Sequence, residues 1–257
     1  MIPDVHRQRG ARVRFEWGMT GAEAVAPGAA YVVVIDVLSF TTTVTVAVER
    51  GITVYPFDWK DDRAAAYADE LGAVLGVSRV EASKGGRGAL LSPAAMGSVE
   101  GVERVVLPSS NGSPLSAMLA ATGATVVAGS LRNRTAVASW LATHLGPDDE
   151  LAVVAAGERW TDGTLRPAVE DLWGAGAIVA ALAERGVDGL SPEARVAADA
   201  FRSVADRLEP ELLDCASGRE LAAIGYAEDT RVAAALDASD VVAILGPDGS
   251  FRATPTP

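Results

Sequence analysis

Four carboxylates stand where an apolar run of the sequence gives way to a polar turn or to the start of a helix. Asp36 directly follows a Val-Val-Val-Ile run, and Glu158 comes shortly after a Leu-Ala-Val-Val run. About ten residues further on, Glu170 and Asp171 open a long helical segment. Carboxylate oxygens are ligands that Mg²⁺ takes from proteins, together with water and substrate phosphate. The pattern predicts that all four carboxylates hold Mg²⁺, and that Asp36, Glu158 and Asp171 act as catalytic metal-binding or acid–base groups.

These carboxylates also have plainer structural interpretations. Asp36 could cap the helix that follows it, although Ser39 and the run 41–43 are better placed to do so. Glu170 and Asp171 could compensate the dipole at the start of their helix. A functional role is favoured for Asp36, because perturbed carboxylates at strand ends concentrate in functional sites.

Small polar residues and arginines follow the other apolar runs. The turn 109–113 could surround an anion with backbone amides, and arginine suits bidentate binding of phosphate or carboxylate. The alternatives are a well-capped turn, capping and packing for the threonines, and solvent exposure for the arginines. The predicted contacts to substrate or phosphate are Thr41, Thr42, Ser110, Asn111, Gly112, Ser113, Arg132 and Arg159.

Several other kinds of site are excluded by residue type. The sequence has no Gly-Lys-Ser/Thr phosphate loop and no GxGxxG motif. A single cysteine, Cys215, excludes an intramolecular disulfide and a cysteine-rich zinc site. His6 and His144 are the only imidazoles, and neither lies in a context that suggests a catalytic triad.

The elements that must position these residues alternate regularly along the chain. Near-continuous Val/Ile runs indicate strands buried on both faces, and each is followed by a turn and an amphipathic helix. We therefore predict an α/β fold with three layers, α/β/α, and a mostly parallel sheet. The predicted strands are 32–35, 52–57, 73–77, 105–107, 125–128, 151–154 and 241–245. Ligands bind outside the carboxyl ends of such strands, so the polar turns are expected to share one rim.

Helix boundaries are predicted from capping residues. We expect helices up to about 50, over 114–121, 135–144 and 168–184, and three or four short helices between 191 and 236. Ser113 is expected as an N-cap, with Pro114 at the first helical position. Glu228 and Asp229 are interpreted as capping residues of a late helix. The residues after 251 are expected to fray.

Length and charge narrow the class of protein. A chain of 257 residues is expected to form a single compact unit over 1–257, with a division into two similar halves near 147 as an alternative. The net charge of −12 argues against nucleic acid and anionic membranes as partners. The first 17 residues lack the apolar core of a signal peptide, and no apolar run approaches a membrane span. We expect a cytoplasmic protein, with a homo-oligomer allowed by the sequence.

Five short motifs, in order, resemble the 2-phosphosulfolactate phosphatase family, the ComB-like proteins. They are Val34-Ile35-Asp36-Val37-Leu38 before a threonine run, Ser110-Asn111-Gly112, Gly157-Glu158, Glu170-Asp171-Leu172, and Gly225-Tyr226 with Glu228-Asp229. The resemblance implies an α/β/α fold and a Mg²⁺-dependent phosphatase acting on a small anionic phosphomonoester. The implied reaction converts 2-phospho-3-sulfolactate and water to sulfolactate and phosphate, on a route to coenzyme M.

One departure from the family pattern bears on function. Ser39 and Phe40 stand where the family is expected to carry an arginine and a small residue. A dianionic substrate would lose a partner there. The alternative is therefore a non-catalytic protein that binds small anions on the same fold. A third interpretation is an α/β transferase of small metabolites, which would need an acceptor other than water.

Overall fold

The computed structural model describes residues 2–58, 63–77 and 91–254 of the chain. Its strands are β1 (Val13–Trp17), β2 (Tyr31–Ile35), β3 (Thr53–Asp58), β4 (Val74–Leu75), β5 (Arg104–Ser109), β6 (Thr125–Gly129), β7 (Leu151–Ala155), β8 (Glu158–Arg159), β9 (Leu165–Arg166), β10 (Ala243–Leu245) and β11 (Phe251–Ala253).

Helices connect most of these strands. They are α1 (Gly18–Val25), α2 (Phe40–Glu49), α3 (Ala64–Leu71), α4 (Pro93–Ser98), α5 (Gly112–Ala120), α6 (Arg134–His144), α7 (Val169–Glu184), α8 (Pro192–Arg202), α9 (Leu208–Asp214), α10 (Ala216–Ala223) and α11 (Ala227–Ala234), with 3₁₀ turns at Asp4–Arg7, Leu131–Asn133 and Ala205–Arg207. The stretch 191–236 thus contains four α-helices, as expected from the sequence.

Among the described residues, one large sheet has the strand order β1-β7-β2-β6-β10-β11-β3-β5-β4. It contains two parallel blocks, β1-β7-β2-β6 and β3-β5-β4. The hairpin β10–β11 joins them, because β10 pairs antiparallel with β6 and β11 pairs antiparallel with β3. Strands β8 and β9 form a separate small hairpin.

Helices cover both faces of this sheet. Side chains alternate along a strand, and β2 shows the result. Val33 and Ile35 pack into a core with α6, α7 and α8, whereas Val32 and Val34 pack into a second core with α1, α2 and α5. The predicted three-layer α/β/α fold with a mostly parallel sheet is confirmed.

Two local predictions are wrong at the start of α5 and at the end of the described chain. The helix begins at Gly112 with Asn111 as N-cap. Ser113 does not cap it, because its hydroxyl donates to the carbonyl of Leu107 at 3.0 Å. The expected fraying after 251 also fails for Arg252, which lies in β11 and pairs with β10.

Candidate active site

Asp36 joins the starts of two helices. It follows the last residue of β2 and is buried. Its Oδ1 accepts the backbone N–H of Phe40, the first residue of α2, at 3.0 Å. Its Oδ2 accepts the N–H of Gly112, the first residue of α5, at 2.9 Å. The carboxylate therefore takes the place that an external anion could occupy at these two helix starts.

Asp171 joins the ends of two strands in the same way. It lies in the first turn of α7 and is buried. Its two oxygens accept the N–H groups of Val37, after β2, at 2.7 Å, and of Gly157, after β7, at 2.9 Å. Burial raises the pKa of Asp171 well above its ordinary value, and the nearby Asp36 and Glu170 carboxylates add to this.

These bonds bring three strand-end loops together. The loops after β2, β5 and β7 meet at Asp36 and Asp171, although β5 belongs to the other parallel block. The predicted shared rim is confirmed for these three. The turn after β6 does not share these bonds to Asp36 and Asp171. Its Ser130 hydroxyl instead lies 3.2 Å from the hydroxyl of Thr45 in α2.

Glu158 is the carboxylate at the edge of the cluster. It begins β8 and is half-buried, and its Oε2 accepts Nδ2 of Asn111 at 3.0 Å. Burial raises the pKa of Glu158 to about 7, with further raising by Asp36, while the Asn111 bond and, more weakly, Arg166 lower it. A carboxyl group with such a pKa can give or take a proton near neutral pH.

Glu170 contributes a carboxylate oxygen whose hydrogen-bonding capacity is unused. It lies in the first turn of α7 and is 2% exposed. Among the described residues, no hydrogen-bond partner reaches its Oε2. The charge of Glu170 adds to burial in raising the pKa of the Cys215 thiol to about 12. A buried carboxylate oxygen without a partner carries a desolvation cost that a cation or a ligand donor would relieve.

A cleft of about 320 Å³ opens beside this cluster. Asn111 and Glu158 line it on the side of the carboxylates. Arg159 and Leu165, both from the β8–β9 hairpin, line another side. Trp17, the last residue of β1, also lines the cleft. The cleft gives a small molecule direct access to Glu158.

Thr41 and Thr42 shape the loop after β2. The Thr41 hydroxyl donates to the carbonyl of Asp36 at 2.9 Å and accepts its N–H at 3.0 Å. The Thr42 hydroxyl donates to the carbonyl of Val37 at 2.7 Å. Both side chains are buried, so these hydroxyls hold the backbone that carries Asp36. Their predicted substrate contact stays a prediction.

Phe40 does not enter the cleft despite its bulk. It is 1% exposed, and its ring packs edge-to-face against Phe251 with centroids 6.2 Å apart. Gly112 passes close beside it: a Cβ on Gly112 would lie 2.3 Å from Cδ1 of Phe40. The departure from the family pattern at this position is therefore filled by core packing.

The remaining predicted contacts are divided between the cleft and other places. Ser110 is exposed, while the hydroxyl of Ser109 accepts the N–H groups of Asn111 and Gly112 at 3.3 and 3.1 Å. Arg159 is exposed at the cleft and donates to the carbonyl of Gly163 at 3.4 Å.

Arg132 is not brought to the carboxylate cluster. Its Nη2 lies 3.2 Å from Glu49 at the end of α2, and its Nη1 donates to the carbonyl of Val232 at 3.3 Å. Its interpretation as a phosphate or sulfonate contact remains a prediction. Asp229 caps a different helix from the one expected: it accepts the hydroxyl of Ser92 and, at 3.2 Å, the N–H of Ala94 at the start of α4.

Three contributors were not among the predicted site residues, although the sequence patterns singled out the 109–113 turn and the Gly157-Glu158 motif. Ser109 supports the turn before α5, and Gly157 adopts φ +64° at the loop that donates to Asp171. Arg166 lies opposite Glu158 in the β8–β9 pair. The Asp162-Gly163 dipeptide was the available signal for this hairpin, since Asp-Gly favours tight turns between strands.

In the described part of the chain, no group of three or more His, Cys, Asp and Glu side chains is arranged to hold a metal ion. The four carboxylates are electrostatic neighbours, but backbone amides already occupy Asp36 and Asp171. Mg²⁺ often takes only one or two protein carboxylates, so Glu158 and Glu170 are the members available to a metal.

The three-layer fold brings carboxylates together beside a small cleft at the ends of its strands. This arrangement is typical of α/β enzymes with a site for a small ligand. A family model described as 2-phosphosulpholactate phosphatase matches residues 21–247. A Carboxydothermus hydrogenoformans protein, "Probable 2-phosphosulfolactate phosphatase", is 32% identical over 222 residues, covering 86% of this chain and 87% of that protein. The chain belongs to the 2-phosphosulpholactate phosphatase family, and it is a phosphatase, a phosphoric monoester hydrolase.

None of the helices in the described ranges is both long enough and apolar enough to cross a bilayer.

Proposed function

We propose that this protein is a Mg²⁺-dependent phosphatase that hydrolyses 2-phospho-3-sulfolactate, or a similar small acidic phosphomonoester, to sulfolactate and phosphate. The observation that carries the proposal is the carboxylate cluster at the cleft, in which Oε2 of Glu170 is buried without a partner. The name of the Carboxydothermus relative supports the choice of substrate. The assignment to a coenzyme M route rests on the family resemblance alone.

The donor set fits Mg²⁺, which prefers carboxylate oxygen and keeps water and substrate phosphate in its shell. Glu170, whose Oε2 has no hydrogen-bond partner among the described residues, would hold the ion, which leaves Glu158 free for proton transfer. Each oxygen of Asp36 and Asp171 already accepts a backbone N–H, so these two would contribute only through their remaining lone pairs. Bound Mg²⁺ would neutralise negative charge on the phosphate oxygens.

Glu158 is the proposed proton-transfer group. Its pKa of about 7 suits a group that accepts a proton from water and returns one to the leaving oxygen. Asn111 holds Oε2 of Glu158 in place through its amide at 3.0 Å. Glu158 also lines the cleft, so the substrate can reach it.

Asp36 and Asp171 are proposed to keep the three loops in register around the phosphate. Because both oxygens of Asp36 accept backbone amides, activation of water is favoured over attack of this carboxylate on phosphorus. A covalent aspartyl-phosphate on Asp36 is the alternative. Trapping with borohydride separates the routes, since only the covalent route leaves a reducible acyl phosphate.

The function is tested by phosphate release with Mg²⁺ and with EDTA. The panel comprises 2-phosphosulfolactate, 2-phospholactate and an aryl phosphate. We expect Mg²⁺-dependent release that is fastest for 2-phosphosulfolactate. Glu170→Gln should lose most of the activity, whereas Glu184→Gln, an exposed carboxylate on the same helix α7, should retain it.

Two outcomes would contradict the hydrolysis itself, and a third would contradict only its dependence on Mg²⁺. No release from folded protein, combined with tight anion binding, would indicate the non-catalytic anion-binding protein. Turnover only in the presence of an acceptor other than water would indicate a transferase. Release that EDTA leaves unchanged would reject the metal requirement while retaining the phosphatase.

A further inference from the structure

An acidic substrate meets an unfavourable field at this site. Four carboxylates are electrostatic neighbours at this site, and the chain as a whole carries a net charge of −12. The arginines at the end of β6 offer little compensation. Arg132 is paired with Glu49, and Arg134 is paired with Asp237 at 2.9 Å. A substrate with a second acidic group therefore depends on the cations of the β8–β9 hairpin, Arg159 and Arg166.

Arg166 is placed to supply that charge. In the β8–β9 hairpin it lies directly opposite Glu158, and directly opposed residues project from the same face of a strand pair. Arg159 is opposite Leu165 and so projects from the other face. Arg159 lines the cleft itself, whereas Arg166 shares the face of Glu158 and lies beside that carboxylate.

The guanidinium of Arg166 is held by neutral groups, and its charge also acts on the neighbouring Glu158. Its Nη2 donates to the hydroxyl of Ser217, in the first turn of α10, at 3.1 Å. Its central carbon lies 5.9 Å from the centre of the exposed Trp160 ring. Among the described residues, Arg166 forms no ion pair with a carboxylate. The remaining N–H donors of the planar fork are available for an anionic ligand.

We propose that Arg166 is a specificity-determining residue that binds the non-transferred acidic group of the substrate, its carboxylate or sulfonate. This inference rests on the proposed function, because it assumes a phosphomonoester with a second acid. Ser217 and Trp160 orient the fork before the substrate arrives. The phosphate lies toward the carboxylates and the second acid lies toward the hairpin.

The test compares Arg166→Gln and Arg166→Lys with the wild-type enzyme on three substrates. They are 2-phosphosulfolactate, 2-phospholactate and an aryl phosphate, which has no second acid. We expect Arg166→Gln to lower kcat/KM by about 10- to 100-fold for a substrate whose second acid it binds, the scale of one charge-assisted hydrogen-bonded contact. The aryl phosphate should lose less than about threefold, and Arg166→Lys should recover part of the loss.

The pattern across the panel identifies the group that is bound. A selective loss for 2-phosphosulfolactate alone assigns Arg166 to the sulfonate. A loss for both lactate phosphates assigns it to the carboxylate. An equal loss for all three substrates overturns the proposal, because a structural or general catalytic role would act on every phosphoester. Arg202→Gln, a surface charge change on α8, is the matched control and should leave all three rates unchanged.

A binding measurement separates this inference from the proposed function. Sulfolactate, the product, is titrated calorimetrically into wild-type and variant protein, with no turnover. Arg166→Gln should raise its Kd by a factor similar to the loss in kcat/KM, and an unchanged Kd overturns the proposal. If the wild-type enzyme releases phosphate from no substrate, the proposed function fails, while the titration still decides the role of Arg166. If circular dichroism shows Arg166→Gln to be unfolded, Arg166→Lys carries the same comparison.

Discussion

Replacing Gly112 by alanine tests the close approach of α5 to the loop that carries Asp36. The added methyl group would lie 2.3 Å from Cδ1 of Phe40 and 2.8 Å from Oδ2 of Asp36. Ordinary contacts of a Cβ begin at about 3.4 Å, so the ring of Phe40 would have to move by about 1 Å. The ring is buried and packed against Phe251, which leaves it little room.

The expected cost follows from these distances. Overpacking a well-packed core costs about 1–3 kcal/mol. Because the ring of Phe40 has little room to move, we expect Gly112→Ala to lie near the upper end of this range. Alanine recovers up to about 1 kcal/mol of helix propensity, less at the first helical position. The free energy of unfolding should therefore fall by about 2 kcal/mol, which is about 30-fold in the folding equilibrium constant.

Urea unfolding followed by circular dichroism measures this loss, and phosphate release measures the displacement of Asp36. Gly97→Ala is the matched control: it lies in helix α4, where a Cβ would meet only Val46, at 3.9 Å, among the described residues. That variant should be as stable as the wild type or up to about 1 kcal/mol more stable. Equal unfolding midpoints for the two variants would refute the packing argument.

Three further predictions concern other parts of the molecule. Cys215 is buried and its thiol has a pKa of about 12, so it should react with a thiol reagent only when the protein unfolds; a fast reaction of the native protein would contradict this. Cys215→Ser should retain activity, because serine can replace the cysteine as the N-cap of α10. In metal-free protein, the pKa of Glu158 is raised from 4.5 to about 7 by folding, so the stability of the wild type should fall as the pH rises from 4.5 to 7. Glu158→Gln should therefore stabilise the fold above pH 7 and change its stability little near pH 4.5. Thermal unfolding measured against pH checks the sign of this effect. Asp229→Ala should lower the free energy of unfolding in urea by about 1–3 kcal/mol, because the hydroxyl of Ser92 and the N–H of Ala94 at the start of α4 lose their acceptor. Glu228→Ala, which changes the exposed neighbouring residue, is the control and should cost less than about 0.5 kcal/mol.

The strands buried on both faces are the ones whose bounds the sequence patterns predicted most closely. Val32–Ile35 and Leu151–Ala155 are unbroken apolar runs, and the structure has strands there. The segment Val13–Trp17 was not predicted as a strand, because Arg14 and Glu16 interrupt its apolar residues. Arg14 is buried there and forms an ion pair with Glu150, a compensation that only the tertiary structure provides.

The residue types of the site were predictable, but their partners were not. Asp36 and Gly112 are 76 residues apart, and Val37 and Asp171 are 134 apart. Such bonds depend on how strand ends approach one another in space. Arg132 illustrates the same dependence: the sequence shows its place after a strand, but only the fold shows that Glu49 lies within its reach.

The hairpin β10–β11 also constrains the order in which the sheet can be completed during synthesis. Phe251 in β11 pairs with Val54 in β3, a residue that leaves the ribosome roughly 200 positions earlier. Until residues near 251 are available, the pairing edges of β3 and β6 stay open, and open edges invite pairing with other chains. The nascent protein therefore has most of its helices before its two parallel blocks can join. A chain halted just before β10 would be prone to aggregation rather than partly active.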